Sequence, residues 1–131
     1  MEALANSNTV ATCLPACDLS TRQPLAPGRR LLDAGVTVAL ATNLNPGTSY
    51  TSAMNYCVTT AVLQMGLSLD EALEAATLGG AKALRRDDVG YLAVGAKADL
   101  HVLDTANAID LAYRPGMPLT YATYVGGKQV H

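Results

Sequence analysis

Charge is scarce in this chain: aspartate, glutamate, lysine and arginine make up 15% of its 131 residues and leave a net charge of −2. Basic residues cluster only as Arg29-Arg30 and Arg85-Arg86. Both pairs read as solvated helix or loop charges, so neither nucleic acid nor an acidic lipid surface is an expected partner. Long apolar runs are missing as well. None approaches the roughly 18 residues needed to span a bilayer, and no basic segment followed by an apolar stretch opens the sequence. The expectation is a cytoplasmic protein without a membrane partner. The cysteines Cys13, Cys17 and Cys57 form an odd set, which favours free thiols over disulfides. Cys13 and Cys17 have a spacing some zinc sites use, but no second cysteine or histidine pair completes it. The only histidines are His101 and His131, and neither stands in a Ser/His/Asp-like arrangement that would activate Thr48 or Ser49. A phosphate loop is excluded too, because the glycine spacing and its lysine are absent.

What is present is apolar residue, at 50% of the chain. That suffices for a real core, and in so small a chain it implies apolar surface that expects a neighbour. Thr9 to Leu14 reads as a buried strand stopped by Pro15, and Ala16 to Pro27 as a loop. Pro27 starts a helix through Leu31 and Leu32 that ends at Gly35, and Val36 to Ala41 is a second buried strand. Strand, helix and strand in this order suit a right-handed parallel βαβ unit. Met54, Cys57, Val58, Ala61, Val62 and Met65 repeat at helical spacing up to Gly66. Ser68-Leu69-Asp70-Glu71 is a capping box opening a helix with Ala72, Leu73, Ala76, Gly80, Ala81 and Leu84 on one small-residue face. From Val89 the texture changes to glycine-punctuated short strands at Tyr91 to Val94, Leu100 to Leu103 and Tyr121 to Val125, an antiparallel sheet.

The stretch that draws attention is Thr42-Asn43-Leu44-Asn45-Pro46-Gly47-Thr48-Ser49, at the carboxyl end of the second strand. In α/β folds that end is where side chains and free backbone N–H groups build sites. Asparagine, proline and glycine are also ordinary turn residues, so a simple tight turn is the competing reading.

Ala41 to Ser49 resembles the last barrel strand and following loop of the imidazolonepropionase family, metal-dependent amidohydrolases of histidine breakdown. The likeness continues through Glu71-Ala72-Leu73, Ala81 to Leu84, Gly90 to Leu100 and Tyr113-Arg114-Pro115-Gly116. A complete (β/α)₈ barrel needs about 250 residues, so the resemblance implies an α/β fold holding a partial barrel. Residues 1–88 would be the last βα units, and 89–131 a β segment of the accessory β-sandwich.

The resemblance further implies a zinc or iron site and hydrolytic opening of the ring of 4-imidazolone-5-propanoate to N-formimidoyl-L-glutamate. Asn45, Gly47 and Thr48 match positions that contact substrate. Asn43 matches the aspartate metal ligand, but its neutral amide is a poorer ligand and cannot accept a proton. No His-x-His pair is present, and His101 reads as a structural or surface residue. The expectation is a fragment that is inactive alone, completed by the remainder of the barrel or by self-association, with zinc or iron in the complete enzyme and none expected on this chain by itself. The alternative is a non-catalytic small-molecule-binding or protein-interaction module derived from an amidohydrolase.

Overall fold

The computed structural model describes residues 1–131. After a short helix α1 (Glu2–Ala5), strand β1 (Ala11–Cys13) leads into helices α2 (Pro15–Ser20) and α3 (Gly28–Asp33), and strand β2 (Val38–Leu40) returns beside β1. The two strands are parallel, with Ala11 opposite Val38 and Cys13 opposite Leu40. This is the expected βαβ unit, with shorter strands.

Helix α2 corrects the reading of Ala16 to Pro27 as loop. Pro15 stops β1 but also supplies the first helical position, where its fixed φ fits and its missing N–H costs nothing. The Thr21 hydroxyl closes the other end by donating to the Cys17 carbonyl at 2.8 Å. Helix α3 ends as expected at Gly35, which turns the chain with a φ of 77°.

Helix α4 (Met54–Gln64) lays Val58 and Ala61 against Val38, Leu40 and Cys13, and this core takes in Leu31, Met65 and Leu67. Met65 fills the core as expected, while Met54 sits at its margin. Burial raises the pKa of both buried thiols, Cys13 and Cys57, with the nearby Asp18 adding to the shift at Cys13, and all three cysteines are free.

Helix α5 (Leu69–Glu74) begins with the expected capping box. The Ser68 hydroxyl accepts from the Glu71 N–H at 3.2 Å, and the Glu71 carboxylate accepts from the Ser68 N–H at 2.8 Å. Arg29 Nη1 also donates to both Glu71 oxygens, at 2.9 and 2.7 Å, and its Nε donates to Asp33, so α3 is tied to the start of α5. The helix continues through a wide π turn (Ala75–Gly79) into α6 (Gly80–Ala83). Ala72, Ala75, Gly79 and Ala81 are buried, whereas Leu84, expected on the packed face, is 73% exposed because the helix stops before it.

Beyond α6 the expected strand at Tyr91 to Val94 does not form. Gly90 and Gly95 turn the chain at positive φ on either side, and Leu92 and Val94 face outward with no neighbouring strand to pack on. The other two strands are as read. β3 (Leu100–Leu103) pairs antiparallel with β4 (Thr120–Val125), which turns at Gly126-Gly127 into a short β5 (Lys128–Gln129). A further helix, α7 (Asp110–Tyr113), had no clear sequence signal, and it packs on α4 through a hydrogen bond from the Thr59 hydroxyl to the Leu111 carbonyl. Through Leu111 and Leu119 the C-terminal residues join the same core.

Two stability tests follow from the α3–α5 junction. Replacing Ser68 by alanine removes an N-cap and is expected to cost about 1 kcal/mol in denaturant unfolding. Hydrogen bonds from Arg29, then from Ser68, lower the Glu71 pKa from 4.5 to about 2. A depressed carboxylate pKa stabilises the fold fully above pH 4.5 and loses that contribution as pH falls toward 2. The melting-temperature gap between the parent and Glu71→Gln should therefore be open at neutral pH and close across that window. Because the pair is solvent-accessible, added salt should narrow the gap.

Candidate functional site

The loop from Thr42 to Ser49 leaves the carboxyl end of β2 and is tied down on three sides. Ala41 N–H donates to the Cys13 carbonyl at 3.0 Å, holding the strand end to β1. The buried Ser49 hydroxyl donates back to the Thr42 carbonyl, closing the loop at its base. From α2, the Ser20 hydroxyl donates to the Thr48 carbonyl. The helix absent from the sequence reading is thus one of the elements that seats the candidate site.

Inside the loop, Asn45 organises everything. Its Oδ1 accepts from the Gly47 N–H at 3.0 Å, the Thr48 N–H at 2.8 Å and the Thr48 hydroxyl at 3.1 Å. Its Nδ2 donates to the Asn43 carbonyl at 2.6 Å and to Thr48 Oγ1 at 3.0 Å. Backbone bonds between Asn45 and Ser49 in both directions complete a small closed ladder. Asparagine supplies what such a turn needs, a short acceptor that reaches the N–H groups two and three residues on. Gly47 is bare for a reason: a Cβ there would lie 3.3 Å from Asn45 Oδ1.

The structure therefore brings Asn45, Gly47 and Thr48 into one hydrogen-bonded unit, and that limits what each can offer a ligand. Both amide hydrogens of Asn45 are used within the loop, as are the N–H groups of Gly47 and Thr48. The Thr48 hydroxyl donates to Asn45, which leaves it an acceptor. Asn43 is the exception. It sits with φ at 54°, its side chain exposed and outside every hydrogen bond of the loop. Asparagine and aspartate tolerate this left-handed backbone better than most residues.

No three histidine, cysteine, aspartate or glutamate side chains converge to hold a metal ion. Asn43 brings one neutral amide oxygen, and the residues of this chain do not by themselves fit a zinc or iron centre. His101 lies in β3, where its Nε2 is 2.9 Å from Thr120 Oγ1. It lines a cleft of about 430 Å³ with Ser52, Asn55, Thr77 and Thr123, between α4, the π turn and the C-terminal sheet. Five separate segments build this cleft, so no local pattern could have announced it. A second, more apolar cavity of about 670 Å³ lies over Thr12 and Ala39. Asn43, Asn45, Gly47 and Thr48 line neither.

A loop at the carboxyl end of a buried parallel strand, with an antiparallel sheet following, suits a βα segment of an α/β barrel. The chain belongs to the amidohydrolase family, which it matches over residues 2–130. It is 66% identical over 128 residues to the imidazolonepropionase of Arthrobacter sp. strain FB24, a match covering 91% of this chain and 32% of that protein. To the imidazolonepropionase of Saccharopolyspora erythraea it is 62% identical over 134 residues, covering 99% of this chain and 34% of the relative. The chain spans about a third of the length of the curated relatives it matches.

Among solved structures, the chain resembles atrazine chlorohydrolase from Arthrobacter aurescens TC1 complexed with zinc. The TM-score is 0.83 at 27% identity, covering 98% of this chain and 32% of that one. An adenosine deaminase from Xanthomonas campestris with bound zinc gives a TM-score of 0.82 at 25% identity, with 92% and 31% covered. These neighbours establish the fold as part of an amidohydrolase barrel with its small antiparallel sheet, and both carry zinc.

Two substitutions test the loop. Asn43→Ala is expected to destabilise the chain by about 1 kcal/mol, from the left-handed backbone it must keep, while Asn43→Gly should be close to neutral. Asn45→Ala should release the Gly47 and Thr48 amides, seen as faster hydrogen exchange confined to the loop.

Proposed function

We propose that this chain is the C-terminal third of an imidazolonepropionase, the hydrolase that opens the ring of 4-imidazolone-5-propanoate to N-formimidoyl-L-glutamate in histidine degradation. The observation that carries this reading is the identity of about two thirds to an imidazolonepropionase along nearly the whole chain. The remainder of the barrel would be the partner, and it would have to bring the histidines that hold zinc or iron. The metal's chemistry there is to make water a nucleophile near neutral pH.

On this reading the chain supplies one wall of the substrate pocket. Asn45 fixes Gly47 and Thr48, whose outer surfaces are exposed and would meet the small, planar substrate. Thr48 Oγ1 would accept from a ring N–H, since its own hydrogen is already given to Asn45. The free amide of Asn43 can donate to a carbonyl or carboxylate oxygen, a role an aspartate at that position could not fill while ionised.

The amide at position 43 also favours a second reading, a non-catalytic module that keeps the loop for binding. Complementation separates the two. The purified chain is expected to show no ring opening, with or without zinc or iron. Co-expressed with the N-terminal two thirds of the Arthrobacter sp. strain FB24 relative, the Asn43→Asp form is expected to recover turnover and bound metal, and the parent form far less. Turnover by the chain alone would overturn the reading of it as an incomplete fragment, and none from the complemented Asn43→Asp form would overturn the enzymatic assignment.

A further inference from the structure

We propose that Gly79 is a positioning residue that sets the strand carrying the loop at Asn43 to Thr48. Its relevance to a substrate pocket rests on the reading above, while the contact itself does not. Gly79 closes the π turn, and a Cβ built on it would lie 2.2 Å from the Val38 carbonyl oxygen and 3.2 Å from Ala39 Cα. Both neighbours are backbone of β2, so no side chain can swing aside to make room. The helix backbone rests directly on the strand backbone.

The seat is transmitted along a stiff path. Val38, Ala39 and Leu40 are all buried, with 4%, 1% and 3% of their surfaces exposed, so the strand cannot tilt without disturbing packing on both faces. Its far end is held by the bond from Ala41 N–H to Cys13 and touched by Cys57 Sγ, 3.7 Å from the Ala41 carbonyl. Asn43 is two residues further on. A widened turn ending at a residue with no side chain brings the helix axis closer to the sheet than a regular α turn with any other residue would allow.

The adjacent glycine provides the control. A Cβ on Gly80 meets nothing within 4 Å, so Gly80→Ala adds helix propensity without a clash. In the 131-residue chain, Gly80→Ala should melt at or above the parent temperature and leave the amide spectrum of Asn43 to Ser49 unchanged. Gly79→Ala should melt lower by at least about 5 °C. Well below its melting point it should also shift the amide signals of Asn43 to Ser49, while those of α3 stay in place. A glycine that served stability alone would lower the melting temperature and leave the loop signals still. In the parent protein, a nuclear Overhauser contact between the α-protons of Gly79 and Ala39 is expected, and it is observable even if Gly79→Ala does not fold. Unmoved loop signals in a folded Gly79→Ala, equal shifts in Gly80→Ala, absence of the Gly79 to Ala39 contact, or a parent chain without a dispersed spectrum would each overturn the proposal. None of these readouts depends on ring opening, so the proposed reaction can fail without taking this contact with it.

Discussion

Two parallel strands of three residues each hold very little by themselves, because their hydrogen bonds replace bonds to water at nearly even cost. What fixes the pair here is packing around β2, every residue of which is buried, while Thr12 of β1 stays exposed. Cys13, Val38 and Leu40 share one core with residues of α3, α4 and α5, and Gly79, in the helical run from Leu69 to Ala83, rests on the backbone of β2. The remaining architecture can be read as what is required to keep that arrangement: the arginine tie between α3 and α5, the glycine stops at Gly35 and Gly66, and α7 braced on α4. The loop at the end of β2 inherits its place from this packing.

Local chemistry made much of this legible in the sequence. The capping box at Ser68 depends only on residues three apart, and the apolar spacing of α4 on a single helix, so both were readable without the fold. The strand, helix, strand order likewise gave the parallel pair. The misses share a cause. Pro15 stops a strand and also starts a helix, since the same fixed φ serves both. Tyr91 to Val94 has strand composition but no partner, and strand propensity counts for little without one.

For the candidate site, the sequence showed which residues gather at the strand end but not how they divide their hydrogen bonds. Asn45 reads equally well as a ligand contact or a turn former, and the distances show its amide saturated within the loop. In the sequence, Asn43 stands out for the charge it lacks. The structure adds that its backbone is left-handed and its side chain unengaged, two properties that a single sequence does not disclose. The cleft beside His101 depends on contacts among segments far apart in the chain.

The self-contained bonding of the loop has a consequence for assembly. A segment whose donors and acceptors are paired among its own residues keeps its shape whether or not anything stands opposite. For any partner that docked on the loop, little conformational freedom would remain for it to surrender, and the entropic penalty of association would fall mainly on the other side. The loop is preorganised, and its rigidity comes from Asn45 together with its ties to β1 and α2.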